Sequence, residues 1–137
     1  MSRVQLYSSE YIVVEYHPDN ALIFHTVHKP MGKDQIHIHK QALNAGTEAM
    51  ARHGLSKWLS DDRKNGPLPD ELRGWGTNTW IPRTLEAGWK YWANVVPIEV
   101  DAAGTLVPVI DALYALGLKM QVFSHVGEAL AWLDSVE

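Results

Sequence analysis

The residues of this chain whose types could do chemistry gather in two places. The first is Asp61-Asp62-Arg63, two carboxylates and a guanidinium directly after a strand-like run. The second is the stretch from Trp75 to Pro97, WGTNTWIPRTLEAGWKYWANVVP. It holds four of the six tryptophans, Trp75, Trp80, Trp89 and Trp92, and it includes Arg83. Aromatic side chains next to an arginine have the usual composition of a binding hot spot. Trp75 and Trp80, in a glycine-flanked segment, therefore predict the wall of an apolar pocket or a contact with a second copy of the chain. The plainer alternative is that they cover the sheet as packing.

Histidine is the other candidate, with seven in the chain. Ile36-His37-Ile38-His39 and His25-x-x-His28 invite a metal reading. On a helix, however, residues two apart do not face the same way. Zinc needs three or four converging ligands with an ordered outer shell, and there is neither a His-Glu-x-x-His run nor a cysteine. No metal and no cofactor is expected. Hydrolase chemistry finds no Gly-x-Ser-x-Gly elbow, and His125 beside Ser124 is a sequence neighbour and not a relay. A phospho-acceptor reading of Asp61-Asp62 fails because Lys119 falls at the start of its strand. Phosphate-cradling glycine loops are absent.

Composition narrows the classes further. The chain has 137 residues, 46% hydrophobic and 20% charged, which suits one globular domain over 1–137. A net charge of -4 opposes nucleic-acid binding, which needs a basic face. Zero cysteines exclude disulfide and thiolate chemistry. With no apolar run long enough for a membrane span and no leader-like pattern in MSRVQLYSSEYIVVEY, a cytoplasmic location is expected.

The elements that must position these residues follow from periodicity. Tyr11 to His17 and Ala21 to His28 alternate and read as a hairpin around Pro18-Asp19-Asn20, with Asn20 suited to a left-handed backbone. Residues 4–8 add a pairing segment. Lys33 to Arg52 is helical, with Ile36, Leu43 and Met50 at seven-residue spacing, stopped by His53-Gly54. Leu55 to Ser60 is a strand carrying Trp58. A helix starts near Pro69-Asp70-Glu71, Gly74 and Gly76 interrupt it, and Thr79 to Ala87 forms a second short helix. Trp89 to Val96 is an interior strand, apolar on both faces. Asp101 to Gly104 is a loop. Thr105 caps a helix through Leu106, Ile110, Leu113 and Leu116. Leu118 to Phe123 is the last strand, and Ser124 caps a final helix with Val126, Leu130 and Leu133 inward. Trp58, Trp89 and Trp132 are expected in the core. The order predicts an α/β fold: a mixed sheet with an N-terminal antiparallel hairpin, then parallel strands, with helices packed on it.

The hairpin, the long helix, the Trp-Leu-x-Asp strand end, the "GWKYWANVVP" strand and the closing "VFSHVGEALAWLDS" helix together resemble the STAS-like proteins. Those are similar to anti-sigma-factor antagonists and, more distantly, to CRAL-TRIO lipid-binding domains. The resemblance spans about Tyr11 to Ser135. It implies a small signalling or ligand-sensing module without catalysis. The antagonist branch carries a phosphorylatable serine in an Asp-Ser-Ser-Gly-like turn. The corresponding loop here, Ser60 to Gly66, lacks that motif.

Ligands of such sheets collect beyond the carboxyl ends of parallel strands, where helix starts favour anions. The expected site is therefore Asp61, Asp62, Arg63, Trp75, Trp80 and Arg83, engaging a partner protein or a small apolar or anionic ligand. The rival readings are a small enzyme using Asp61, Asp101 or His125 at the strand ends, and a structural homodimer.

Overall fold

The computed structural model describes residues 3–136. Its strands are β1 (Val4–Ser8), β2 (Ile12–His17), β3 (Leu22–Val27), β4 (Lys57–Asp61), β5 (Tyr91–Val95) and β6 (Lys119–Phe123). They form a mixed sheet whose order follows the chain, β1-β2-β3-β4-β5-β6. β1, β2 and β3 pair antiparallel, and β3 to β6 run parallel. The fold is α/β, as the periodicities predict, and β5 is an interior strand between β4 and β6.

Parallel neighbours require crossovers. α1 (Ile36–His53) joins β3 to β4. A helical run of α2 (Asp70–Trp75), a wide π turn (Gly76–Trp80) and α3 (Ile81–Glu86) joins β4 to β5. α4 (Ile98–Ala103) and α5 (Val107–Ala115) join β5 to β6, and α6 (Val126–Ser135) follows. In a sheet that steps in one direction, right-handed crossovers all fall on one face. The packing agrees. Leu43 and Met50 of α1, Trp80 and Leu113 share a core with Ile23 and Trp58 on that front face. α6 lies on the reverse, where Ala129 and Leu133 meet Leu22, Leu59, Ala93, Val95 and Phe123.

α1 can lie close to the sheet because of one small residue. A Cβ at Gly46 would sit 2.4 Å from the Trp58 ring. Trp58 is fully buried against that gap, which only hydrogen leaves open. The helix ends at Gly54, in the left-handed region with φ 64°, as its position predicts.

Several local expectations are corrected. Gly74 and Gly76 do not interrupt the segment after Pro69; the helical path continues from 70 to 86. Gly76 takes an ordinary helical backbone, φ -58°. The widening to a π turn ends two residues before Pro82, which has no N–H to extend the ladder. Trp75 and Trp80 thus stand on one continuous helical run and not on either side of a break. Residues 98–103 are helical, where a loop through Asp101 to Gly104 is predicted. Pro97 starts the turn, Glu99 and Asp101 complement its dipole, and Gly104 stops it at φ 65°. Thr105 and Ser124 are not the caps: Leu106 and His125 occupy those positions without side-chain bonds. In the hairpin the residue with positive φ is Ala21, at 52°, and not Asn20. Trp58 and Trp89 are buried, whereas Trp132 is half-buried against Phe123 and Tyr91. Among the described residues no helix is long and apolar enough to cross a membrane.

Candidate functional site

Strand alternation puts Ile23 and His25 of β3, Trp58 and Ser60 of β4, and Trp92 and Asn94 of β5 on the front face. The register stacks them in two rows. Ile23, Trp58, Trp92 and Met120 make an apolar row, and His25, Ser60, Asn94 and Val122 make the next row toward the strands' carboxyl ends. The indoles of the first row donate to the second. Trp92 Nε1 donates to Ser60 Oγ at 2.8 Å, and Trp58 Nε1 to His25 Nδ1 at 3.0 Å. Because Nδ1 accepts, the ring proton sits on Nε2, which donates to Asp62 Oδ1 at 2.9 Å. Both nitrogens of His25 are therefore occupied, and the ring orients Asp62.

Trp80 closes the site from the helix above. Its Nε1 donates to Thr47 Oγ1 at 3.1 Å; Thr47 and Thr84 share a 2.8 Å bond, and Thr84 donates back to the Trp80 carbonyl at 2.7 Å. That closed loop fixes the indole in one orientation. Its plane crosses that of Trp92 at 84°, centroids 5.9 Å apart. Trp58 and Trp89 support the pair from below, at 5.2 and 5.0 Å from Trp80.

The result is a cavity of about 360 Å³ at the carboxyl ends of β3, β4 and β5, in the size range of small-molecule sites. Its walls are largely apolar, from Leu43, Leu72, Trp75, Trp80, Ile81 and Trp92. Polar groups enter from His25, His39, Asp62, Asn65 and Asn94. Three of their atoms are buried with no hydrogen-bond partner: His39 Nδ1, Asn65 Oδ1 and Asn94 Oδ1. His39 is 4% exposed and Asn94 8%. Burial, and then the neighbouring His25, pull the His39 pKa down from 6.5 to about 4.

The residues predicted from sequence divide three ways. Asp62, Trp75 and Trp80 line the cavity together. Asp61, one residue from Asp62, faces the reverse side. Burial pushes its carboxyl up, but hydrogen bonds from Arg63 outweigh that and hold it below its usual range. Arg63 grips it in two bonds, 2.9 and 2.8 Å, beside a separate shallow cleft with Thr26, His28 and Lys64. Arg83 points away from the cavity and binds Asn44 at 2.9 Å on the surface. Asp101 and His125, the enzyme candidates, do not line the cavity either, and His125 is exposed. No cluster of three or more potential metal ligands exists among the described residues.

Sequence reasoning passed over His25, His39, Ser60, Asn65, Trp92 and Asn94 as site residues. A signal existed for three of them. A histidine in step with Ile23 and Val27, a serine in step with Trp58, and an asparagine in step with Trp92 are polar residues on the buried side of apolar strands. Each needs either a partner or a purpose. Searches against protein-family models, curated proteins and solved structures find no match to this chain.

Proposed function

We propose that this domain is a non-enzymatic binding module that takes a small, largely apolar ligand into the front-face cavity. The STAS-like resemblance, with its ligand-sensing expectation, points the same way. One observation carries the reading: three residues that line one aromatic-walled space, His39, Asn65 and Asn94, each carry a buried polar atom without a partner. An unsatisfied buried polar group costs about 1–3 kcal/mol. Three such residues around one space, beside a histidine already fixed by two bonds, suit a ligand that supplies the missing partners. Acid–base catalysis has less support, because His25 has no free nitrogen and His39 is a poor base with its pKa near 4.

The test uses benzamide, a neutral ring with one amide, followed through the indole N–H resonances. Binding predicts saturable shifts at Trp80 and Trp92 and none at Trp132. Gly76→Leu supplies the control. Gly76 lines the cavity, and a Cβ added there meets no atom within 4 Å. The backbone there is helical, so leucine is accommodated, and its side chain extends from the cavity lining. Shifts absent from the wild type, or unchanged in that variant, would remove the proposal.

A second reading, self-association, has one observation in its favour. α5 and the residue that caps it expose Val107, Tyr114 and Leu116 at 53%, 63% and 62%. Sedimentation velocity on dilution separates a dimer from a monomer.

A further inference from the structure

We infer that the ligand is a small organic cation, a planar amidinium or an arylammonium, seated between the Asp62 carboxylate and the corner made by Trp80 and Trp92. This rests on the cavity being a ligand site, and it names the chemistry that the site selects.

The charges facing the cavity decide the sign. Asp62 brings a carboxylate whose side chain is 20% exposed and whose Oδ1 is oriented by His25. His39 adds no positive charge near neutral pH, since burial keeps its ring neutral. Arg73 is the one lining cation among the described residues, and its guanidinium is bonded to Asp70 outside the cavity. The interior is therefore negative. An anion entering it would meet Asp62 with no free positive partner.

The hydrogen-bonding groups agree in kind. Asn65 and Asn94, both lining residues, each carry a buried carbonyl oxygen without a partner, a group that seeks N–H donors. An amidinium offers several in one plane.

The walls complete the case. Indole is the best aromatic surface for a cation, through its ring quadrupole, and the attraction strengthens where water is excluded. Trp80 and Trp92 offer two such rings at 84°. The protein already places a cation against the third, with Lys40 Nζ 5.7 Å from the Trp75 ring centroid. Desolvating a cation is costly, and a carboxylate together with aromatic faces offsets that cost where either alone would not. The volume of about 360 Å³ accommodates one ring with a short charged arm.

Benzamidine, benzamide and benzoate share a ring and nearly a shape and differ in charge. Titrating each into the wild-type protein, by the same indole resonances, should give benzamidine roughly tenfold tighter binding than benzamide. Benzoate should be weakest. Asp62→Asn keeps an acceptor for His25 Nε2–H and removes the charge. It should bring benzamidine binding down by roughly tenfold, to the level of benzamide. Benzamide or benzoate binding as tightly as benzamidine would overturn the charge assignment and leave the cavity reading standing. No response to any of the three would overturn both. The ranking in the wild type needs no variant, so it holds as a test even if Asp62→Asn folds poorly.

Discussion

The two faces of the sheet are built from alternate residues of the same strands, and they are finished differently. On the reverse, Leu22, Leu59, Ala93 and Val95 meet Ala129 and Leu133 of α6 in an apolar contact. On the front, the apolar row of Ile23, Trp58 and Trp92 gives way within two residues to His25, Ser60 and Asn94. A core built only for stability would have continued the apolar row. Polar atoms left without partners indicate that the front face carries another requirement. On the proposed reading the front face combines a core with a recognition site, whereas the reverse face serves stability alone, and single substitutions can separate the two roles.

The largest expected effect lies on the reverse face. Leu133→Ala removes a fully buried side chain from the α6 contact and should cost about 2–5 kcal/mol in urea unfolding. Where the variant remains folded, its indole responses to benzamide should match the wild type. A loss of those responses in the folded protein would mean that the faces are coupled, and the division would fail.

The next effect is acid sensitivity on the front face. His39 keeps a pKa of about 4 when folded and 6.5 when unfolded, so the unfolded chain takes up the proton first. The stability that comes from burying the neutral ring is full above pH 6.5 and is lost as pH falls toward 4, by roughly 3 kcal/mol. Asp61, whose pKa lies below 3.8, loses its contribution only at lower pH. His39→Leu should flatten the stability profile between pH 6.5 and 4 and leave the lower part in place. An unchanged slope in that variant would show that the ring titrates freely.

At neutral pH the same substitution sharpens the contrast. His39→Leu and Asn94→Leu each replace an unpartnered buried polar atom with a methyl group. Each should raise stability by about 1 kcal/mol and weaken benzamidine binding. Stabilisation together with intact binding would mean that the orphaned atoms serve no ligand.

The architecture was legible in the sequence because alternation and seven-residue spacing report burial directly. The hairpin, α1, β4, β5, β6 and α6 all follow from that. The missed features share a cause. Gly74 and Gly76 read as breaks, yet tertiary contact through Trp80 and Thr84 carries the helix across them. The 98–103 helix has too few residues to show a period. The site was half legible. Tryptophan composition pointed to Trp75 and Trp80, but register alone brings His25, Ser60 and Asn94 into one row, and register depends on pairings between distant segments. Adjacent carboxylates suggested one site, where the pleat sends them to opposite faces.

Asp61 and Asp62 make the smallest and most exacting comparison. They are sequence neighbours of identical chemistry, one facing each side. Asp61 is held by Arg63, whose side chain is 45% exposed, so water screens the pair. Arg63→Ala should therefore cost no more than about 1 kcal/mol and leave benzamidine binding untouched. Asp62→Asn should do the reverse, with little change in stability and a clear loss of cation preference. If Arg63→Ala impaired binding as much as Asp62→Asn did, the guanidinium would be sensing the cavity through the strand. The site would then extend around the sheet edge, and the assignment of recognition to the front face alone would be wrong.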